Sequence, residues 1–296
     1  MNGVGLRKLV ALIALGLFAV CGLGQGAVAQ DVSPVFQPGE KLKFGLRWGF
    51  IPAGEAVLKV LPIETFKGQE VYHFVMEVRT NAFIDTFYRY RSRIDAYADV
   101  NMTRSIFYNS RTEAGRSVKE TQVHFDWDKN EAFYYRIKTR TGSEPEISER
   151  RRYTELLPGS FDPLSVFYYT RHLRFDQSCP LERPVTDGKK CVVASAAVLK
   201  REQVSINGKD YDTLVIQPDL KHVEGVFEKS ENARILIWLT ADEFRIPVKL
   251  KSKIIVGSFT GELLAAEGTR NVNLTEHALL DPVPGVSPGS VLTEVD

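Results

Sequence analysis

The chain has 296 residues, of which 44% are hydrophobic, 10% aromatic and 25% charged. This composition is that of a globular protein, and it excludes a disordered, collagen-like or disulfide-dense scaffold. Lysine and arginine number 38 against 37 acidic residues, so the formal charge is +1. Because nucleic-acid binding depends on a net basic field, we expect no nucleic acid among the partners.

The first 29 residues have the three parts of a secretory signal peptide. Arg7 and Lys8 are its positive region, residues 9–20 are almost wholly apolar, and Ala27-Val28-Ala29 is a small-x-small cleavage site. Glycines interrupt the apolar run before it reaches the ~20 residues that span a bilayer. We therefore expect cleavage, export to the periplasm, and a mature chain without a transmembrane segment.

Three cysteines bear on anchoring and on redox state. Cys21 could be acylated in a lipoprotein, but Val20 precedes it where such signals usually carry a small residue, so this alternative is disfavoured. Cleavage leaves Cys179 and Cys191, which are too widely spaced for a Cys-x-x-Cys motif and too few for zinc. In an oxidising compartment they are predicted to form one structural disulfide.

Alternation of apolar and polar residues dominates the chain and predicts half-buried strands. Asn207-Gly208 suits the positive φ angles of a tight hairpin, which predicts that the strands on either side pair antiparallel. The predicted strands are 41–49, 55–60, 71–78, 88–99, 104–113, 117–127, 131–140, 190–206, 209–217, 233–240 and 245–257.

Helical signals are few. Asp162-Pro163 is typical of an N-cap followed by proline at the first helical position, and an apolar stripe at helical spacing continues from there. We predict one amphipathic helix at about 162–174, packed against the sheet, and a shorter helical turn near 82–87. Residues 30–270 are predicted to form a single β-rich domain, followed by a flexible tail over 271–296.

So many strands must curl to hide their edges and their apolar face. We therefore predict a mainly β fold in which a single curved antiparallel sheet forms an open or closed barrel. Such a barrel either fills with side chains or leaves a cavity for an apolar ligand. The large rings predicted on its inner face, and thus the candidate ligand-binding residues, are Phe44, Trp48, Tyr90 and Trp238.

Three arginines alternate along the predicted strand 88–99. Arg89, Arg91 and Arg93 could grip a phosphate or carboxylate with their guanidinium groups. The alternative is a solvated outer face that Asp95 and acids on neighbouring strands neutralise. The alternative is favoured, because charged stripes on strands usually face water.

Motifs for metals, cofactors or catalysis are weak. Asp126–Asn130 imitates the start of a calcium loop, but Glu131 stands where that loop needs glycine, so a polar hairpin turn explains it better. The sequence contains no His-Glu-x-x-His, Gly-x-Ser-x-Gly or phosphate-binding glycine loop. We expect no cofactor and no resident metal, and no catalytic residue can be named.

Four segments together resemble a family of exported bacterial proteins known as domain of unknown function 3108. The resemblance extends over roughly residues 36–265, with the segments in the family's order. It implies a mainly β domain of the cell envelope, without an established activity. The segments are Phe36 to Ala56, Tyr88–Asp99, Phe161 to Arg171 and Ile237 to Gly257.

Three functions remain open. The first is non-enzymatic binding of an apolar or lipid-like ligand in envelope maintenance, and the sheet is also similar in outline to those of periplasmic lipoprotein carriers. The second is an envelope scaffold that holds a protein partner at an exposed strand edge. A hydrolase is the third and least favoured, because no nucleophile–base pair is evident.

Overall fold

A computed structural model describes residues 35–142, 145–173, 181–219, 234–254 and 257–270. The predicted signal peptide, Cys21, Cys179 and the predicted tail lie outside these residues. Cleavage, periplasmic location, the disulfide and the tail therefore stay predictions. No helix within the described ranges is long and apolar enough to cross a membrane.

Fifteen strands and two helices make up the described part of the chain, and every ladder between strands is antiparallel. The helices are α1 (Ala82–Tyr88) and α2 (Pro163–His172). The strands are β1 (Lys41–Trp48), β2 (Ile51–Val60), β3 (Glu64–Phe66), β4 (Gln69–Thr80), β5 (Tyr90–Asp99), β6 (Ser105–Ala114), β7 (Ser117–Asp126), β8 (Glu131–Arg140), β9 (Glu146–Glu155), β10 (Leu181–Thr186), β11 (Cys191–Ile206), β12 (Lys209–Pro218), β13 (Arg234–Thr240), β14 (Pro247–Ile254) and β15 (Gly257–Glu267).

All strands belong to one sheet. The order along it is β10-β11-β12-β13-β14-β15-β1-β2-β4-β5-β6-β7-β8-β9, with β3 paired to β4. Pairing of β1 with β15 brings the two ends of the domain together in the middle of the sheet. Among the described residues no ladder joins the end strands β9 and β10, so the sheet is open, although Phe161 bridges to Val185 of β10. The predicted mainly β, single antiparallel sheet is confirmed.

Helix α2 fills the space inside the curve of the sheet. Its Tyr168 ring stacks on Phe74 of β4 with centroids 4.0 Å apart, and Phe36 packs edge-on against both rings. The same core takes in side chains from strands on both sides of β1. Eight of the ten helical residues are buried, so the prediction of an amphipathic helix is wrong: the sheet surrounds the helix and leaves it no polar face. The predicted bounds of 162–174 are close.

Both ends of α2 are fixed by polar contacts. The Asp162 carboxylate accepts hydrogen bonds from the backbone N–H groups of Leu164 and Ser165 at 2.8 and 2.9 Å, which confirms the predicted N-cap. At the other end, the Arg171 guanidinium contacts the Glu40 carboxylate, with Nη1–Oε1 2.5 Å and Nη2–Oε2 3.0 Å. Arg171 also donates to the backbone carbonyl of Phe244. The helix is therefore held at the start of β1 and at the β13–β14 loop.

Turn geometry agrees with the sequence patterns. Asn207 and Gly208 have φ angles of 51° and 77°, and they join β11 and β12 as the predicted hairpin. Gly54 lies so close to β4 that a Cβ there would be 2.0 Å from the Arg79 carbonyl oxygen. The predicted short helical turn near 82–87 is α1, which follows β4 at this point.

The sheet has two faces and two ends. The inner face of the sheet packs on α2, and the outer face is the opposite one. The closed end is where α2 meets Glu40 and the β13–β14 loop. At the other end lie the β1–β2 turn, α1 and the β6–β7 turn, and its exposed residues Phe50, Phe83 and Phe87 are called the rim.

Candidate functional site

The arginines proposed as an anion grip lie on the outer face or beside it, and two of them are paired. Arg91 binds Asp85 of α1 through both carboxylate oxygens, and the hydrogen bond from Arg91 lowers the pKa of Asp85. Arg93 contacts Glu77 at 2.8 Å and Asp95 at 2.7 Å. Arg89 is exposed between α1 and β5. Arg91 and Arg93 thus form the neutralised outer face that the sequence analysis favoured.

An outer groove of about 530 Å³ contains this pairing. Lysines of β1 and β2 also line it, and each contacts an acid: Lys43 with Glu55 at 2.9 Å and Lys59 with Glu77 at 2.6 Å. The groove therefore satisfies its own charges and leaves little attraction for a charged ligand.

The four candidate rings do not share one face. Phe44 and Tyr90 are buried on the inner face, and burial raises the pKa of Tyr90 to about 12. Trp48, at the rim end of β1, is half-buried and stacks on Phe259 with centroids 6.5 Å apart. These three contribute to a packed interior. No apolar pocket among the described residues brings them together.

Trp238 is on the opposite face, which corrects the prediction. It lies across from Lys249, on the side of β13 away from α2, and its indole N–H donates to the Glu202 carboxylate at 2.8 Å. Trp238 and Leu239 are consecutive residues of β13, which pairs regularly with β12, so they are buried on different sides of the sheet. Because Trp238 and Leu239 are both apolar, the sequence pattern does not show which of the two side chains faces inward.

An unpredicted cluster of basic residues lies on the inner face of β7, β8 and β9. The register of the ladders places Lys119 opposite Lys138, and Arg136 opposite Arg150, all on the side that carries buried Tyr134. We call this cluster the inner basic face. Its members are Lys119, Arg136, Lys138, Arg140, Arg150 and Arg152.

The inner basic face has few counter-charges. None of its six side chains forms an ion pair with a residue in the described ranges. On these three strands, one acid shares the face: Glu146, across from Arg140. Like charges directly opposite one another on a sheet are destabilising, so the fold maintains an unfavourable arrangement here.

The β10–β11 turn approaches the same face. Thr154 of β9 donates to the Gly188 carbonyl at 2.8 Å, and Lys189 in this turn pairs with Asp187 at 2.6 Å. Desolvation is the largest cause that lowers the pKa of Lys119, followed by the charges of Arg136, Lys189 and Lys138, while the Asp187 carboxylate opposes the shift. The Lys119 side chain remains in contact with solvent. Desolvation and neighbouring positive charges both disfavour the protonated form of this lysine.

Guanidinium and ammonium groups in this arrangement can bind phosphate or carboxylate oxygens.

The described residues hold no group of three or more His, Cys, Asp or Glu side chains suited to a metal ion. Asp126 accepts from the Lys129 backbone N–H at 3.1 Å, as a polar hairpin turn does. The Cys191 sulfur lies 3.1 Å from the Ser160 hydroxyl, while its predicted partner Cys179 is outside the described residues.

The sequence did contain a signal for this site. Arg136, Lys138 and Arg140 recur at period two within a correctly predicted strand, so they share a face. What was missing was the neighbouring strand β9, because its residues are exposed on both faces and show no apolar alternation.

The fold defines a mainly β protein whose single antiparallel sheet packs around a helix. Residues 43–264 match the family model described as protein of unknown function (DUF3108), so the chain belongs to this family and the predicted resemblance is confirmed. No curated protein matches the chain. It is similar to the crystal structure of a beta-barrel-like protein of domain of unknown function DUF1849 from Brucella abortus, at 9% identity and a TM-score of 0.46, covering 79% of this chain and 99% of that chain.

Proposed function

We propose that this is an exported, non-enzymatic protein of the cell envelope that binds an anionic, lipid-like ligand by its headgroup. The observation that carries the proposal is the inner basic face, where six cationic side chains have no ion-pair partner among the described residues. A phosphate or carboxylate headgroup would supply the missing counter-charge.

The contrast within one sheet supports this assignment. On the outer face, Arg91, Arg93 and Arg111 each contact one or two acids. On the inner face of β8 and β9, Arg136 and Arg150 face one another instead. The outer arginines are neutralised by acids of the sheet, and the inner arginines are not. The inner face is therefore the one that an external anion would neutralise.

The apolar interior does not supply the ligand's site. Side chains of α2 occupy the centre of the core, so the proposed ligand is held by its head on the inner basic face rather than by a chain threaded through the barrel. The lipid-like character rests on the predicted export to the envelope.

The test is a binding titration followed by native mass spectrometry. We expect short-chain phosphatidylglycerol to bind, and short-chain phosphatidylcholine and inorganic phosphate to bind far more weakly. Phosphate binding as tightly as phosphatidylglycerol would show a small-anion protein and overturn the lipid-like part. Absence of binding to all three would overturn the proposal.

Strands β8 and β9 offer two variants to compare. Arg136→Gln/Arg150→Gln/Arg152→Gln removes three inner charges, and Arg151→Gln removes one charge on the outer side of β9. We expect the triple variant to weaken phosphatidylglycerol binding by about tenfold or more. The single variant should bind as wild type does, and equal losses in both would argue against a specific face.

A scaffold function is the second candidate, and one observation favours it. Strand β9 is exposed along nearly its whole length, and its far edge pairs with no described strand, so a partner strand could add there. Its many charges are of the kind that discourage strand addition. A single stoichiometric protein partner in ligand-free preparations, lost when β9 is altered, would favour this function instead.

A further inference from the structure

Three phenylalanines are exposed at the end of the sheet that lies opposite the closed end. Phe50, Phe83 and Phe87 have 83%, 62% and 69% of their surface exposed. The other phenylalanines in the described ranges are buried or half-buried. Three large exposed rings gathered at one place on a protein indicate an interaction surface.

These rings belong to one local unit. The Asn81 side chain, which caps α1, donates to the Pro52 carbonyl at 2.8 Å, and its backbone N–H donates to Ala53 at 3.0 Å. Helix α1 is thereby fixed beside the β1–β2 turn that carries Phe50. Within α1, the Phe83 and Phe87 rings contact edge-on with centroids 5.6 Å apart.

The exposure is a stable property of α1. Its other side is anchored, because Ile84 and Tyr88 are buried and Asp85 is held by Arg91. The helix therefore presents two rings to solvent while its buried side holds it against the sheet.

Exposed arginines surround the rim. Arg47 precedes the β1–β2 turn, Arg89 follows α1, and Arg116 lies in the β6–β7 turn. The Gly115 N–H in the β6–β7 turn donates to the Arg89 carbonyl at 2.9 Å. None of the three forms an ion pair with a residue of the described ranges, and the acid of α1, Asp85, is taken by Arg91. The rim thus combines exposed rings with unpaired positive charge.

We propose that the rim docks the protein on an anionic membrane surface. The phenylalanine rings would enter the boundary between headgroups and acyl chains, and the arginines would contact the lipid phosphates. A second copy of this chain fits less well, because a symmetric contact would bring the unpaired arginines together. The proposal uses no residue of the inner basic face, so the two sites can fail separately.

Vesicle sedimentation tests the proposal. At moderate salt, we expect the purified chain to sediment with phosphatidylcholine vesicles that contain phosphatidylglycerol, and much less with vesicles of phosphatidylcholine alone. Phe83→Ser/Phe87→Ser should lower the bound fraction about tenfold or more, because each ring loses apolar burial. Tyr153→Ser, which alters an exposed ring away from the rim, should bind as wild type does.

Two further variants separate the sources of binding. Arg47→Gln/Arg89→Gln/Arg116→Gln should remove most of the preference for anionic vesicles. If Arg136→Gln/Arg150→Gln/Arg152→Gln abolishes sedimentation while Phe83→Ser/Phe87→Ser retains it, membrane contact belongs to the inner basic face and the rim proposal is overturned. The rim proposal is also overturned if the wild-type protein does not sediment with the vesicles. It is overturned as well if the only effect of Phe83→Ser/Phe87→Ser is to convert dimers of the protein into monomers. Thermal unfolding of each variant checks that the fold is retained.

Discussion

The two ends of the sheet treat charge in opposite ways. At the closed end, the Arg171 and Glu40 side chains are 0% and 1% exposed and satisfy one another. At the rim, Arg89 and Arg116 are exposed and have no ion-pair partner among the described residues. Arginines without an ion-pair partner are therefore confined to certain exposed regions of this protein, because the same fold pairs an arginine with an acid where the arginine is buried.

The closed end should therefore carry stability and the rim should carry binding. A buried ion pair contributes little net free energy when both partners are present, but removing one leaves an uncompensated buried charge. An exposed side chain away from such features changes the free energy of unfolding little when it is replaced. The following three predictions test this division.

The largest effect is expected at the buried pair. Arg171→Met leaves Glu40 without its partner and removes the donors to Phe244, so the free energy of unfolding should fall by about 3–5 kcal/mol. Urea unfolding followed by circular dichroism measures it. Adding Glu40→Gln to that variant should recover part of the loss. A change below about 1 kcal/mol in Arg171→Met would show that α2 is not held there.

The next effect is pH dependence at His172. Burial, and then the charges of Arg171 and Arg245, lower the pKa of His172 from 6.5 to about 4. Between these values the unfolded chain binds a proton that the folded chain does not, so the free energy of unfolding falls as pH drops, by up to about 3 kcal/mol.

His172→Phe should remove this dependence, because phenylalanine keeps a ring against Phe36 and does not titrate. Denaturation at several pH values between 6.5 and 4 compares the variant with wild type. An unchanged slope over that interval would show that other groups cause the dependence.

The smallest effect is expected beside the rim. Asn81 accepts the Ile84 N–H at 2.9 Å as the N-cap of α1, so Asn81→Ala should cost about 1 kcal/mol, confined to that helix. Hydrogen exchange should become faster in α1 and stay unchanged in α2. Asn109→Ala, on the outer face of β6, is the control and should alter neither helix. Faster exchange in α2 would mean that the two ends are coupled.

Local patterns explain which elements could be predicted. The alternation in β5 correctly separated Tyr90 from Arg91, and Asp162-Pro163 located the start of α2. Strand β9 was missed because neither of its faces is buried, and periodicity reports burial on one face. Trp238 was placed on the wrong face because it stands in the apolar run Ile235–Leu239, where no polar residue marks the outer side.

The candidate site could not be predicted from residues that are close together in the sequence. The charges of Arg91 and Arg93 were visible in the sequence, and so were those of Arg136 and Lys138. Whether each meets an acid depends on the register of adjacent strands, which set Arg93 beside Glu77 and Arg136 beside Arg150. The inner arginines were not named because β9, which supplies Arg150 and Arg152, was not predicted.

By itself the sequence determined the β character of the chain, the Asn207-Gly208 hairpin and the cap of α2, since each follows from interactions among residues a few positions apart. Only the tertiary structure decided that α2 fills the space inside the sheet and that the inner basic face forms no ion pair with the described residues. Those properties come from contacts between distant segments, such as Arg171 with Glu40, whose partners no local pattern can name.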